Sequence, residues 1–122
     1  MRFPKAFRER PLVARAGVIV LGYGFLEAAN GLEALDVIAK NHDDIALIIL
    51  DVNMPEMDGF ELLRRVKADP VYKDIPVMML TTESERGKII EAIQAGAVNY
   101  ICKPFQQEDL TVKIAESLGE GF

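Results

Sequence analysis

The chain has 122 residues, half of them hydrophobic and 27% charged, with a formal net charge of −5. That is enough for one globular domain with one core and too apolar for a disordered chain. The acidic balance argues against bulk nucleic-acid binding, no apolar run approaches the ~20 residues of a membrane span, and the single cysteine, Cys102, excludes an internal disulfide and fits a reducing cytoplasm.

The charge is unevenly spread. Residues 1–17 hold five basic residues (Arg2, Lys5, Arg8, Arg10, Arg15) against one acid, Glu9, whereas the remainder holds nine basic and eighteen acidic residues. The start is basic but lacks the apolar stretch of a signal peptide. Residues 1–20 are therefore expected to be an atypical basic segment, and 21–122 the folded domain.

In chain order, Phe25–Ala29 reads as a short strand and Asn30-Gly31 as a turn or cap. Leu32, Leu35, Ile38 and Ala39 then recur at helical spacing. Ile45–Leu50 is an uninterrupted apolar run, the pattern of a strand covered on both faces of a parallel sheet. Phe60, Leu62, Leu63, Val66 and Lys67 mark a helix stopped by Asp69-Pro70, and Pro76–Leu80 is the next strand. Ser84 to Ala95 is predicted helical with Ile89, Ile90 and Ile93 facing inward. Val98–Cys102 follows as a strand, and Leu110, Ile114, Ala115 and Leu118 mark a last helix ended by Gly119. Alternating strands and helices imply an α/β domain with a parallel sheet covered on both faces. Ligands of such sheets collect beyond the carboxyl ends of the strands. Asp51, Thr81 and Lys103 each end or follow a strand, so the fold would gather them on one rim.

Those residue types suit an acyl-phosphate site. A carboxylate can take a phosphoryl group as nucleophile, a lysine acts as a point charge on phosphate oxygens, and a threonine hydroxyl can donate to one of them. Phosphoryl transfer is mostly positioning and charge neutralisation. In order, "LIILDVNMPEMDG", "PVMMLTTE" and "NYICKPF" resemble the receiver domains of bacterial response regulators, the CheY-like family, as does "LGYGFLEAANGLEAL". The resemblance implies a flavodoxin-like doubly wound sheet of strand order 2-1-3-4-5. It also implies a cytoplasmic, non-enzymatic phosphorelay protein that receives phosphate from a histidine kinase or phosphotransfer protein and switches an unidentified downstream partner, with no nucleic acid or membrane involved. With no output domain after Phe122, output would pass through that partner. By the same resemblance Asp51 is the phosphoacceptor, Asn53 supplies a backbone carbonyl to Mg²⁺, and Met54-Pro55 and Gly59 form the turn and helix start. Thr81 and Tyr100 are the switch pair, Glu83 tunes phosphoryl lifetime, Lys103 neutralises charge, and Pro104 follows an often-cis peptide bond. His42, in the polar stretch NHDD, and Cys102, taken as buried and inert, are left outside the site.

One part of the pattern is missing. Receivers carry a first strand ending in an acidic pair that holds Mg²⁺, a hard cation wanting oxygen ligands. In this chain the corresponding window is Lys5-Ala6-Phe7, and the preceding Pro4 suits no central strand. Three accounts stand open: a degenerate natural receiver, a misread or added first twenty residues, or Val18–Leu21 serving as a displaced strand that rebuilds the sheet. In each, the first strand is missing or altered and Mg²⁺ binding is expected to be weak. An unfilled central position would expose sheet edges and invite a dimer through the N-terminal region. The alternative function is a pseudo-receiver that binds a partner without being phosphorylated. A haloacid-dehalogenase-type phosphatase would need an acid where Asn53 stands, and a dinucleotide fold would need glycine where Glu27 stands.

Overall fold

The computed structural model describes residues 18–22, 25–52, 59–82 and 87–119. Its elements are β1 (Val18–Gly22), β2 (Phe25–Ala28), α1 (Gly31–Asn41), a 3₁₀ turn (His42–Asp44), β3 (Ile45–Asp51), α2 (Gly59–Ala68), β4 (Val77–Thr82), α3 (Ile89–Gln94), β5 (Asn99–Lys103) and α4 (Gln107–Ser117). The strands form one sheet in the order β2-β1-β3-β4-β5. The expected flavodoxin-like order is therefore present, and Val18–Gly22 occupies the first-strand position.

That strand is altered in direction. β3, β4 and β5 are parallel, but β1 is antiparallel to both β2 and β3, with Val18 opposite Ala28 on one side and Leu50 on the other. The cause is chain length. A parallel β1–β2 pair needs a crossover of a dozen or more residues, usually a helix, and only residues 23 and 24 separate these strands. Such a short link permits only a hairpin. β2 then runs the same way as β3, so β1, hairpinned to β2, opposes both. A normal first strand ends at the rim that carries Asp51; this one begins there. β1 also fills the gap beside β3, so the open edge that motivated a dimer is paired.

Local chemistry explains the other elements. Asn30 caps α1, its Oδ1 accepting the Glu33 N–H at 2.9 Å. The apolar run of β3 is buried throughout Leu47–Leu50 because both faces of the sheet are covered. Ile48, Leu50, Val77 and Met79 pack with Ala34 and Ile38 of α1 and with Phe60, Leu62, Leu63 and Val66 of α2. Leu47, Ile49, Met78, Leu80 and Ile101 pack on the other face with Leu110 and Ile114 of α4. α4 is closed at its start by reciprocal bonds between Gln106 and Asp109, and Gly119 follows it at φ +76°.

Of the helix expected over Ser84–Ala95, the described residues show the later part. Residues 83–86 lie outside the described residues, and α3 is confined to Ile89–Gln94. Its inward face also differs from the expectation. Ala92 is 1% exposed, while Ile90 is 70% and Ile93 45% exposed. At 100° per residue Ile90 lies nearly opposite Ala92, and Ala92 belongs to the same core cluster as Ile48, Leu50 and Val66.

Candidate phosphoacceptor site

Asp51 is the last residue of β3 and Lys103 the last of β5. Between them in the sheet lies Leu80, aligned with Asp51 on one side and with Ile101 on the other. Strand alternation puts Asp51 on the face of Ile49, and Lys103 on the face of Ile101, so both side chains share the face of Leu80. Lys103 Nζ donates to Asp51 Oδ2 at 2.5 Å. The aspartate side chain is 12% exposed and the lysine 28%, so the charge pair is partly shielded from solvent and sits in an environment that strengthens it relative to water.

The backbone next to the carboxylate is fixed from two sides. Val52 N–H donates to Leu80 O at 3.0 Å, and Gly59 N–H donates to Val52 O at 3.0 Å. α2 therefore starts directly against the end of β3. A Cβ on Gly59 would lie 2.4 Å from the Asp51 carbonyl oxygen and 3.0 Å from Val52 Cα, so only glycine permits this approach.

Thr81 lies in β4, one step beyond Leu80, and its side chain is directed to the opposite face by alternation. It is fully buried, and its Oγ1 pairs with Cys102 Sγ at 3.3 Å. Tyr100 is on the same face of β5 as Cys102. It is half-buried against the first core cluster, and Lys113 Nζ lies 5.2 Å from its ring centroid. The Lys103–Pro104 peptide bond is cis. Thus Asp51 and Lys103 are in contact, Thr81 is adjacent but turned to Cys102, and Tyr100 lies further inward. Asn53, Met54, Pro55 and Glu83 lie outside the described residues. Cys102, read as buried, is half-buried, and its Sγ pairs with the Thr81 hydroxyl. The signal for it was the register itself, since pairing Thr82 with Lys103 places Thr81 beside Cys102.

The described donors do not make a Mg²⁺ site. Asp51 already carries the Lys103 ammonium, and β1 begins at this rim with Val18 aligned with Leu50. No acid occurs from Arg10 to Leu26. Among the described residues no group of three His, Cys, Asp or Glu side chains could hold a metal ion.

Comparison with known proteins agrees with this architecture. The sequence pattern of the response regulator receiver domain matches residues 14–115. A chemotaxis protein CheY homolog of Campylobacter jejuni is 46% identical over 96 residues, covering 79% of this chain and 73% of that protein. CheY1 of Helicobacter pylori is 44% identical over 100 residues, covering 81% and 80%. Among solved structures, a response regulator receiver domain protein from Clostridium thermocellum superposes with a TM-score of 0.71 at 29% identity, covering 77% of this chain and 73% of that one. Receiver domains of this kind are signalling modules that interact with histidine kinases or phosphotransfer proteins and generally use Mg²⁺. No helix among the described residues is long and apolar enough to cross a membrane. With its 2-1-3-4-5 strand order, its Asp51–Lys103 pair on the carboxyl rim and these relatives, the chain belongs to the response regulator receiver domains of two-component signalling.

Proposed function

We propose that Asp51 accepts a phosphoryl group from a histidine kinase or phosphotransfer protein, and that this chain does so with little assistance from Mg²⁺. The observation that carries the reading is the Lys103 ammonium held on the Asp51 carboxylate at the rim. An Asp51 carboxylate oxygen attacks phosphorus, the bond from phosphorus to the donor's histidine nitrogen breaks, and the imidazole leaves with the bonding pair. The product is an acyl phosphate on Asp51. Lys103 is within reach to pass from the carboxylate to a phosphoryl oxygen, neutralising charge as it develops. The new anion then competes for the Thr81 hydroxyl, and movement of Thr81 and Tyr100 re-shapes the face built from α3, β5 and α4. Since the relatives matched at 44–46% identity are chemotaxis proteins, the pathway proposed is chemotaxis, with a protein partner reading that face.

A second reading, a pseudo-receiver that binds its partner without phosphorylation, is favoured by one observation. The reversed β1 brings no carboxylate to the rim. Weak metal use is common to both readings. Incubation with acetyl phosphate, with and without Mg²⁺, separates them by intact mass. A gain of one phosphoryl group that is lost in Asp51→Asn and only weakly stimulated by Mg²⁺ supports the acceptor reading. No gain from acetyl phosphate or from a phosphorylated kinase, with partner binding retained, supports the pseudo-receiver.

A further inference from the structure

A buried hydroxyl must find a partner, because leaving it unpaired costs the full desolvation of the group. Thr81 is fully buried, and the partner recorded for its Oγ1 is the Cys102 thiol at 3.3 Å. A thiol is a weak donor and a weak acceptor. A phosphoryl oxygen is charged, and hydrogen bonds to ionised acceptors are roughly twice as strong as neutral ones. Thr81 is therefore paired well enough to stay buried, but with the kind of partner that a phosphoryl oxygen readily displaces.

The placement of Cys102 strengthens the point. Its neighbour in the chain, Lys103, holds Asp51 on one face of the sheet, while Cys102 holds Thr81 on the other. Tyr100, two residues back, shares the face of Cys102 and packs against the core there. One strand thus carries the resting partner of the acceptor, the resting partner of the hydroxyl, and the aromatic ring beside them.

We propose that Cys102 is a positioning residue that parks the Thr81 hydroxyl in its resting orientation, and that the weakness of the thiol sets how readily Thr81 is released toward Asp51. The release half of this inference rests on the acceptor reading of Asp51; the parking half does not. Serine at this position would hold Thr81 more firmly through an O–H···O bond, and alanine would not hold it at all.

The test uses the full chain without phosphate, following the ring resonances of Tyr100 by NMR in Cys102→Ser and Cys102→Ala, each made in the native and the Thr81→Val background. The two substitutions are expected to displace the Tyr100 resonances in opposite directions along one line, each changing the ratio of resting to released conformers roughly threefold. Both displacements should vanish when Thr81 is valine. Displacement in the same direction, or displacement that persists in Thr81→Val, overturns the proposal, because a merely structural cysteine would behave that way. Acetyl phosphate labelling is then compared between the same variants, where Cys102→Ala should label faster than Cys102→Ser. Absence of label on the unsubstituted chain counts against the acceptor reading and its release step, while the resonance cycle still decides whether Cys102 parks Thr81.

Discussion

Lys103 and Asp51 are 52 residues apart in sequence and 2.5 Å apart at their charged atoms. Two strands that are not neighbours deliver them, with Leu80 of β4 filling the space between. Because the aspartate side chain is only 12% exposed, removing its ammonium leaves a largely desolvated carboxylate, the costly way to break such a pair. Lys103→Met is expected to lower stability by about 1–3 kcal/mol in urea unfolding. Adding Asp51→Asn to it should recover part of that loss, since the largely buried charge is then gone. If the double variant is no more stable than Lys103→Met alone, the pair does not couple as its geometry requires.

Gly59 connects the fold to the site more tightly than its place in a turn suggests. Its N–H holds the Val52 carbonyl, and a Cβ there would sit 2.4 Å from the Asp51 carbonyl oxygen. Gly59→Ala must displace either the start of α2 or the end of β3. The expected cost is about 1–3 kcal/mol, typical of overpacking. Acetyl phosphate labelling of Asp51 should fall further than that stability loss accounts for. Native labelling in a destabilised Gly59→Ala would show that α2 yields and β3 does not.

The apolar run of β3, the strand-end positions of Asp51 and Lys103, and the Asn30 cap were legible in the sequence because each follows from local pattern. The direction of β1 was legible too, though in a place easily passed over. Only two residues separate Gly22 from Phe25, too few for a crossover. The pairing of Thr81 with Cys102 depends on inter-strand register, which no single segment encodes.

On α3 the expected inward face holds only in part: Ile89 is half-buried and three residues from Ala92, which is 1% exposed, whereas Ile90 and Ile93 are exposed. Ala92→Leu should therefore destabilise by about 1–3 kcal/mol through overpacking, while Ile90→Lys should stay within about 0.5 kcal/mol of the native chain. Thermal or urea unfolding of the two variants measures this directly. A larger loss from Ile90→Lys would return the inward face to the isoleucines.

Lys67 gives the stability curve a pH dependence of definite sign. Its Nζ donates to Ile75 O at 2.7 Å and to Lys73 O at 3.0 Å, tying the end of α2 to the turn that leads into β4. Gly96, at φ +112°, leaves room for the lysine stem, because a Cβ there would meet Lys67 Cγ at 3.0 Å. Burial lowers the lysine pKa from its ordinary 10.5, and the Asp74 carboxylate offsets part of that by favouring the charge. Between the lowered value and 10.5 the folded chain binds fewer protons at this group than the unfolded chain does. Stability contributed here therefore rises with pH across that window and is level well below it. Lys67→Met lacks the titration and loses both carbonyl bonds. The native chain's advantage over Lys67→Met, read as the difference in urea midpoints, should widen as pH climbs toward 10.5. A difference that narrows over the same range would mean that the two carbonyl bonds outweigh burial and hold this ammonium charged.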